Sequence, residues 1–352
     1  MARPNRSAEI QAALLHAVTT HPRDLVGMVA AQLGLSKARI GIEVRDLVAG
    51  GYLVKQGTTR PNYALGQNRR FERRYRRAGL AEDAVWFEHL MPLLGDLPRN
   101  VLDIAHYGMT EMVNNAVDHS DAESVLVRME RRDGQLWLDV ADDGIGIFRK
   151  ITRALGLPDE RLALLELSKG KLTTDPARHS GEGIFFTSRV FDVFRIASTG
   201  LVFDHDANFD DDLLVDADEV DSGTRVEMRI ATDSSRTLKA VFDEYSSGPD
   251  DYSFARTIVP VRLAKVGNEN LISRSQAKRL LQRVDRFRCV VLDFSGVASI
   301  GQAFADEIFR VFANAHPEVE LVAVHAAPEV QQMMRRAEVL RDEQGGQLPL
   351  LD

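Results

Sequence analysis

Residues 102–119 constrain the fold more than any other part of the sequence, because their pattern predicts one helix with two different faces. Apolar side chains recur at helical spacing and fall on one arc; they are Leu102, Ala105, Met109, Met112, Val113 and Ala116. A second arc carries polar groups that can bind a ligand: Glu111, Asn115, Asp118 and His119. Two consecutive asparagines, Asn114 and Asn115, are poor helix formers, and a local cost of this kind often marks function.

Glycine-containing turns follow this predicted helix. An alternating strand at 135–140 leads into Asp142-Asp143-Gly144-Ile145-Gly146, and farther along Gly181 and Gly183 open a helical stretch. Glycine lets the backbone approach a ligand closely, and glycines before a helix direct backbone N–H groups toward an anion. A last turn, Gly223-Thr224, opens an alternating strand at 225–230.

The ordered set of motifs resembles the GHKL ATPase superfamily, which includes the B subunit of DNA gyrase, heat-shock protein 90, histidine kinases, MutL and the bacterial anti-sigma serine kinases. The motif Glu-x-x-x-Asn matches Glu111 and Asn115, and Asp-x-Gly-x-Gly matches Asp142, Gly144 and Gly146. The second glycine motif matches Gly181 and Gly183, and the Gly-Thr strand matches Gly223 and Thr224. The resemblance implies a GHKL α/β sandwich, the Bergerat fold, that binds ATP with Mg2+.

The resemblance also implies a role for each matched residue. The Asp142 carboxylate accepts a hydrogen bond from the adenine amino group, with Thr224 nearby. The Asn115 oxygen ligates Mg2+, and Glu111 is the general base that orients water or a protein hydroxyl. Gly181, with Gly183, leaves room for the phosphates.

A lid over the phosphates is expected at about 148–180. It contains Lys169 and Lys171, for which a contact with the γ-phosphate and a solvated loop position are both open. Asp118 and His119 complete the expected nucleotide-binding set. His119 resembles the anti-sigma kinases, whereas Asp118 resembles an acidic residue of the hydrolysing members, so the chain lies between two subfamilies.

The C-terminal segment alternates strands and helices, which predicts an α/β domain. Residues 290–300 resemble the STAS domain of anti-sigma-factor antagonists, in which a serine at the strand–helix junction is phosphorylated. The places of the Asp-Ser-Ser-Gly motif of those domains read Gly301, Gln302, Ala303 and Phe304 here, so the phosphoacceptor serine is absent at the expected position. We therefore expect a STAS-like domain that contacts a protein partner without the phosphorylation switch.

The N-terminal segment predicts a winged helix-turn-helix domain (α+β), because three helical patterns precede two short apolar runs that flank a polar loop. Ser7 and Ser36 are the expected N-caps of the first and third helices. In such a domain the third helix enters the DNA major groove and the wing contacts the backbone. The residues expected to contact DNA are Lys37, Arg39, Arg45, Lys55 and Arg60. A winged helix used only for protein contacts is the alternative.

The charge distribution agrees with a DNA contact. Residues 1–80 hold 14 Lys and Arg against 5 Asp and Glu, although the whole chain has a net charge of -8. A basic end on an acidic protein is typical of a polyanion-binding segment, and a solvated arm is the alternative. The arginine-rich stretch 67–77 is predicted either as a linker helix on phosphates or as a solvated connector.

The sequence thus predicts a multidomain chain. The expected parts are a winged helix domain (1–66), a basic linker or helix (67–97), a GHKL ATP-binding domain (98–235), a linker (236–250), a STAS-like domain (251–340) and a tail (341–352). No run of about 18 apolar residues and no apolar leader is present, which argues against a membrane-spanning or secreted protein. The single cysteine, Cys289, fits a cytoplasmic location.

Three functions stay open, in decreasing order of support. The first is an ATP-dependent transcriptional or signalling regulator that couples nucleotide state to DNA binding, with ATP hydrolysis favoured over phosphate transfer. The second is an anti-sigma-type serine/threonine kinase acting on a STAS domain of another chain. The third is a DNA-processing clamp, which lacks an evident transducer domain. A histidine autokinase is not expected, because no phosphoacceptor segment precedes the ATPase motifs. The sequence leaves a homodimer open.

Overall fold

The computed structural model describes residues 6–172, 181–207, 211–216, 222–248, 251–265 and 269–345. The chain divides into two compact units, residues 1–144 with 225–235, and residues 145–224 with 236–352. Neither unit coincides with a single predicted domain, and the predicted domain boundaries stay predictions. None of the described helices is both long enough and apolar enough to cross a membrane.

Three helices and a hairpin begin the first unit. They are α1 (Ser7–Ala17), α2 (Leu25–Leu33), α3 (Lys37–Ala49), β1 (Leu53–Gln56) and β2 (Asn62–Leu65). The hairpin strands pair antiparallel, and fully buried Ile10, Leu14, Leu25 and Ile40 form a core between the helices. This order of elements is the one that the sequence predicted for the N-terminal segment.

The two predicted N-caps differ. Ser36 precedes α3 and its side chain accepts a hydrogen bond from the N–H of Arg39, as predicted. Ser7 is instead the first residue of α1, and its hydroxyl donates to buried Glu43 over 2.6 Å. The prediction that Ser7 caps α1 was wrong, because this hydroxyl satisfies a carboxylate of α3.

The first unit continues through a strand, a helical segment, a long helix and a hairpin. These are β3 (Arg69–Arg76), α4 (Glu82–Ala84), a π-helix (Val85–Leu90), α5 (Met91–Leu94), α6 (Arg99–His119), β4 (Ser124–Arg132) and β5 (Gln135–Asp142). Helix α6 packs on β4 and β5.

The arginine-rich segment is a strand, which corrects the prediction of a linker helix or solvated connector. β3 pairs antiparallel with β4 along its whole length. Phe71 and Tyr75 point to one side and lie 5.5 and 6.1 Å from the His89 ring. Apolar residues four apart fit either a helix or a strand, and the pairing with a distant strand selects the strand.

The next part of the chain forms three helices and four strands. They are α7 (Ile147–Leu155), α8 (Arg161–Lys169), α9 (Gly183–Val190), β6 (Val193–Ser198), β7 (Leu201–Asp206), β8 (Asp211–Asp216) and β9 (Thr224–Ala231). In the first unit the strand order is β3-β4-β5-β9. In the second unit β7 lies between β6 and β8, and both pairs are antiparallel.

The C-terminal part of the second unit alternates strands and helices, as predicted. Its elements are α10 (Leu238–Tyr245), β10 (Ser246–Gly248), β11 (Asp251–Phe254), β12 (Arg256–Pro260), a 3-10 helix (Val261–Ala264), α11 (Arg274–Leu281), a 3-10 helix (Val284–Arg286), β13 (Cys289–Asp293), α12 (Gln302–Asp306), a π-helix (Glu307–Phe312), α13 (Ala313–Ala315), β14 (Glu320–Val324) and α14 (Pro328–Gly345). Strands β12, β13 and β14 form a parallel sheet in that order. Helix α8 packs against β12.

Candidate nucleotide site

Helix α6 has the two faces that its sequence predicted. Met109, Met112 and Val113 are at most 2% exposed and belong to the core. On the polar arc, Glu111, Asn115 and His119 are half-buried, and Asp118 is exposed. The structure therefore keeps a row of polar groups along α6 out of the apolar core.

Asn115 is the residue of this row whose surroundings point most directly to a ligand. Its Nδ2 atom is buried and has no hydrogen-bond partner within the described part of the chain. Leaving a buried polar atom unpaired costs about 1–3 kcal/mol, so each such atom calls for an explanation. A bound ligand that completes the hydrogen bonding of this amide is such an explanation.

The turn after β5 is in close contact with the C-terminal end of α6. A Cβ at Gly144 would lie 2.0 Å from the Ser120 carbonyl oxygen, a separation that no side chain tolerates. The Asp142 Oδ1 atom accepts a hydrogen bond from the Gly144 N–H over 2.9 Å. Glycine at 144 thus allows the turn to contact the Ser120 backbone closely, and its N–H fixes the Asp142 carboxylate beside the turn. The close approach to a ligand that the motif predicts stays a prediction.

Asp143 anchors the same turn, a role that the sequence did not reveal. Its carboxylate accepts hydrogen bonds from the N–H groups of Glu123 and Ser124 over 2.8 and 3.0 Å, and from the Ser124 hydroxyl over 2.7 Å. Partial burial alone would raise the pKa of Asp143, but these hydrogen bonds hold it below its ordinary value. The sequence did not indicate this anchoring role of Asp143, because the motif directs attention to the neighbouring Asp142 as the acidic residue that binds a ligand.

In the second unit, Gly146 and Thr224 come together. Gly146 has a φ of +89°, and a Cβ there would lie 2.6 Å from Thr199 Cγ2. The N–H of Ile147, the first residue of α7, donates to Thr224 Oγ1 over 3.0 Å. The threonine is 8% exposed, so its hydroxyl fixes the start of α7.

The second glycine motif, Gly181 and Gly183, is described, whereas His179 and Ser180 directly before it lie outside the described residues. Gly181 has a φ of +74°, and its carbonyl accepts the N–H of Leu172 over 3.1 Å. Gly183 is the first residue of α9. The predicted helix after this motif is therefore present, and its first residue is a glycine.

Both predictions for Lys169, a contact with the γ-phosphate and a solvated loop position, were wrong. It is neither a solvated loop lysine nor available to a phosphate, because its side chain is fully buried at the end of α8. Its Nζ donates to Glu166 over 2.7 Å and to the carbonyls of Gln282 and Arg279 over 2.8 and 3.3 Å. Burial lowers the pKa of Lys169 to about 8, although the Glu166 carboxylate opposes that shift.

Lys171 is also engaged within the protein. Its Nζ donates to the Arg286 carbonyl over 3.1 Å and lies 4.7 Å from the centre of the Phe287 ring. Burial lowers its pKa from the ordinary lysine value. Lys169 and Lys171 are therefore both bonded within the protein, and neither is available to a phosphate as the structure stands.

The basic residues of the N-terminal segment are not equivalent. Lys37, Arg45, Lys55 and Arg60 are exposed. Arg39 instead donates to buried Glu43 over 2.6 Å. The structure thus leaves four of the five predicted DNA contacts on the surface and uses the fifth in an internal ion pair.

The residue before the expected phosphoacceptor position of the C-terminal domain is tightly packed. The N–H of Gly301 donates to the Leu271 carbonyl over 2.8 Å. A Cβ at this position would lie 2.7 Å from Ile272 Cα, so no side chain fits there without a shift of the backbone. Gln302, which stands at the expected phosphoacceptor position, is the first residue of α12 and has no hydroxyl.

The residues of the first unit fit ATP with Mg2+. Among the described residues no group of three or more His, Cys, Asp or Glu side chains is arranged to hold a metal ion. Magnesium that arrives with a nucleotide needs few protein ligands, because phosphates and waters supply the other oxygens. The side-chain oxygen of Asn115 is a ligand of the kind that Mg2+ accepts, and the unpaired Nδ2 of the same amide is a donor that suits a phosphate oxygen.

Comparison with known proteins agrees with this assignment. The family model "Histidine kinase-like ATPase domain" matches residues 58–202, and the model "STAS-like domain of unknown function (DUF4325)" matches residues 276–331. No curated protein matches the chain. A solved structure, an "IcIR transcriptional regulator" from Alicyclobacillus acidocaldarius, is 13% identical over 69% of this chain and 96% of its own, with a TM-score of 0.19.

That TM-score is too low to carry an argument, so the two family models alone bear on function. The first match includes β3, α6 and the turn after β5, and the second includes most of the parallel sheet. The chain therefore contains a histidine kinase-like ATPase domain, which implies ATP binding, and a STAS-like domain, a combination that fits an ATP-binding regulatory protein.

Proposed function

We propose that this protein is a regulator that binds and hydrolyses ATP with Mg2+, and that its nucleotide state controls DNA binding by the N-terminal segment. The observation that carries the ATP part is the buried Nδ2 atom of Asn115 on the polar face of α6, a donor that no described group satisfies and that suits a phosphate oxygen. Glu111 precedes it by one helical turn on the same face.

Three residues of the first unit have separate roles in this proposal. Asp142 binds the adenine amino group with the carboxylate that the Gly144 N–H orients. Asn115 holds Mg2+ through its amide oxygen, and the bound ion neutralises phosphate charge. Glu111 accepts the proton of the attacking water, a contribution of about 10²- to 10⁴-fold in rate.

DNA binding is supported by the arrangement of the N-terminal segment. Its three helices and hairpin have the order of a winged helix, and α3 and the hairpin carry exposed Lys37, Arg45, Lys55 and Arg60. Exposed cations of this kind contact DNA phosphates.

Coupling between DNA and nucleotide is supported by contacts within the first unit. The Tyr52 hydroxyl, just before the hairpin, donates to Glu130 on β4. The chain then continues from the hairpin directly into β3, the neighbour of β4. The N-terminal segment therefore shares one compact unit with the helix that carries Glu111 and Asn115.

The first experiment measures release of free phosphate from γ-labelled ATP with Mg2+. Wild-type protein should release phosphate, and Glu111→Ala should be slower by about 100-fold or more. The matched control is Asp103→Ala, a partly exposed carboxylate on the same helix that pairs with Arg99. Undiminished turnover in Glu111→Ala would contradict the assignment of the base.

The second experiment measures the affinity for genomic DNA fragments with and without ATP and Mg2+. We expect ATP to change the affinity of the wild type, and we expect Asp142→Asn to remove that change. Equal affinities in the two states would exclude the coupling, whereas an absence of any salt-dependent DNA binding would exclude the DNA part as a whole.

The STAS-like match favours one alternative, an anti-sigma-type kinase that phosphorylates a serine or threonine on another chain. Because Gln302 leaves no hydroxyl at the expected acceptor position of its own domain, the substrate would be a separate STAS protein. Labelled phosphate on such a protein, lost in Glu111→Ala, would establish the kinase. Free phosphate alone would favour the ATPase regulator.

A further inference from the structure

A short segment after α8, residues 170–172, contacts the second glycine motif directly. We call it the bridging segment. The N–H of Leu172, its last residue, donates to the Gly181 carbonyl over 3.1 Å. A Cβ at Gly181 would lie 2.5 Å from the carbonyl carbon and oxygen of Leu172. The two backbones therefore lie against each other, so a shift of the bridging segment also shifts the first glycine of the motif.

Arg283 holds the bridging segment in place. It belongs to residues 276–331, which the STAS-like family model matches. Its Nη2 donates to the carbonyls of Gly170 and Lys171 over 3.1 and 2.5 Å, and its Nη1 lies 2.7 Å from the Glu166 carboxylate of α8. One planar guanidinium thus joins the STAS-like domain to α8 and to the bridging segment through three acceptors.

The backbone of Arg283 is in a conformation that a residue with a side chain rarely adopts. Its φ is +66° and its ψ is 2°, in the left-handed region. Such conformations persist only where the surrounding structure determines them, and they cluster at functional sites. The side chain is 11% exposed, and its three acceptors supply contacts that can hold the residue in this conformation.

Lys171 makes a second connection in the opposite direction. From the bridging segment its Nζ donates to the Arg286 carbonyl over 3.1 Å and lies 4.7 Å from the centre of the Phe287 ring. Burial lowers the pKa of Lys171, and the charge of Glu182, which stands between the two glycines in the sequence, opposes that shift. Lys171 therefore interacts both with the STAS-like domain and with the glycine motif.

The helix that follows the motif is packed against the C-terminal part of the chain as well. Phe185 of α9 is 2% exposed, and its ring centre lies 4.5 Å from that of Phe254 on β11. The Phe254 ring is in turn 5.1 Å from the Phe287 ring. A Cβ at Gly170 would lie 2.5 Å from Phe254 Cε1, so the same ring also packs on the bridging segment. Contacts with the C-terminal part thus hold the segments on both sides of the glycine motif.

We propose that Arg283 is a positioning residue for ATP, which sets the place of the second glycine motif through the bridging segment and thereby the affinity for the nucleotide. The proposal rests on the proposed ATP binding and on the resemblance that places Gly181 and Gly183 at the phosphates. Backbone groups cannot rotate to follow a displaced phosphate, and hydrogen bonds weaken steeply as their geometry departs from the optimum. The STAS-like domain would then take part in nucleotide binding in addition to any contact with a partner protein.

The test is titration calorimetry of the full chain with ATP and Mg2+, well below the melting temperature of each variant. We expect Arg283→Gln to weaken ATP binding by about tenfold or more, the effect of losing a supporting contact at metal sites, with an unchanged number of binding sites. A variant that is only partly folded would instead show fewer sites with the wild-type affinity. Arg310→Gln is the matched control, because it breaks an ion pair with Asp306 in the same domain, and it should leave the affinity unchanged.

Arg283→Lys tests the proposal a second time and replaces Arg283→Gln should that variant not fold. It keeps a positive charge opposite Glu166 but lacks the planar fork, so we expect an intermediate affinity for ATP. Wild-type affinity in the folded Arg283 variants, or an equal loss in Arg310→Gln, overturns the proposal while the proposed function stands. A wild-type protein that does not bind ATP would refute the proposed function and this proposal with it.

Discussion

Asn115 and Lys169 are both polar side chains on helices that the sequence placed close to the phosphates of a nucleotide, yet the structure treats them in opposite ways. The Asn115 amide on α6 keeps a buried nitrogen without a partner among the described groups. The Lys169 ammonium on α8 has three donors, and three acceptors surround it. Asn115 therefore keeps a donor that a ligand could use, whereas the hydrogen bonds of Lys169 are already filled by the protein.

The surroundings of Lys169 form a structural ion network. Arg283 Nη1 lies 2.7 Å from the second oxygen of Glu166, which is 1% exposed. Arg283 also donates to the carbonyls of Gly170 and Lys171. Each buried charge therefore has an opposite charge or a carbonyl dipole, a condition for keeping charges inside a protein.

The largest effect is expected for Lys169→Met. The change leaves one Glu166 oxygen and two carbonyls without their donor, although Arg283 still pairs with the other Glu166 oxygen, and it should destabilise the protein by about 3 kcal/mol. Urea unfolding measures the loss. Lys239→Met, which removes an exposed lysine paired with Asp243, should cost less than about 1 kcal/mol. Similar losses for the two variants would contradict the buried network.

Asn115→Ala should show the opposite signature. Because the amide nitrogen is unpaired, its removal should leave the free energy of unfolding without nucleotide unchanged or slightly higher. The affinity for ATP with Mg2+ should fall by at least about tenfold, as it does for losses around metal sites. Equilibrium binding of a fluorescent ATP analogue measures this change. The neighbouring Asn114→Ala is the control, and an equal loss there would place the ligand on a different face of α6.

Asp143→Asn should cost about 1 kcal/mol of stability at neutral pH, because hydrogen bonds to a carboxylate from Ser124 and Glu123 are weakened. The folded-state pKa of Asp143 is lowered, so this contribution is present above the ordinary carboxyl pKa. It is lost as the pH falls through the lowered pKa.

Thermal unfolding between pH 6 and 3 tests this sign. The gap in melting temperature between wild type and Asp143→Asn should shrink as the pH falls. Asp133→Asn is the control, since its exposed carboxylate pairs with the side chain of neighbouring Arg132. A gap that widens toward acid pH would show that Asp143 does not anchor the turn.

The smallest effects are expected in the N-terminal segment, where Arg39 and Arg45 repeat the comparison. Arg45→Gln should lower DNA affinity a few-fold and reduce the salt dependence by about one ion. Arg39→Gln should mainly lower stability, because Arg39 pairs with buried Glu43. DNA titrations at several salt concentrations, with unfolding curves, separate the two. A larger DNA effect for Arg39 would reverse this assignment.

The sequence predicted those parts of the fold that depend on local periodicity. The two faces of α6, the turn at Gly144 and the alternation of the C-terminal domain follow from spacing within a single element. The strand β3 could not be predicted with the same security, because Phe71 and Tyr75 fit two periodicities and the decision comes from pairing with β4.

The same distinction, between local sequence patterns and contacts made by distant residues, applies to the predicted site residues. The motif predicted Glu111, Asn115 and Asp142 as site residues, since their order in the chain resembles a known family, and these roles stay predictions. The motif could not show that the Lys169 side chain donates to the carbonyls of residues 279 and 282, because those acceptors lie far away in the sequence. Partners of this kind depend on tertiary packing and have no local signal.

β3 is the edge strand in the order β3-β4-β5-β9. Its position therefore decides where the chain can be cut into fragments without exposing an unpaired strand. Terminal strands are templates for pairing between molecules, and charged side chains discourage that pairing. β3 carries five arginines in eight residues, whereas β4 behind it carries the run Val125, Leu126 and Val127. A fragment that begins after residue 76 would expose β4 and should self-associate, so the arginines at this edge keep the molecule from aggregating.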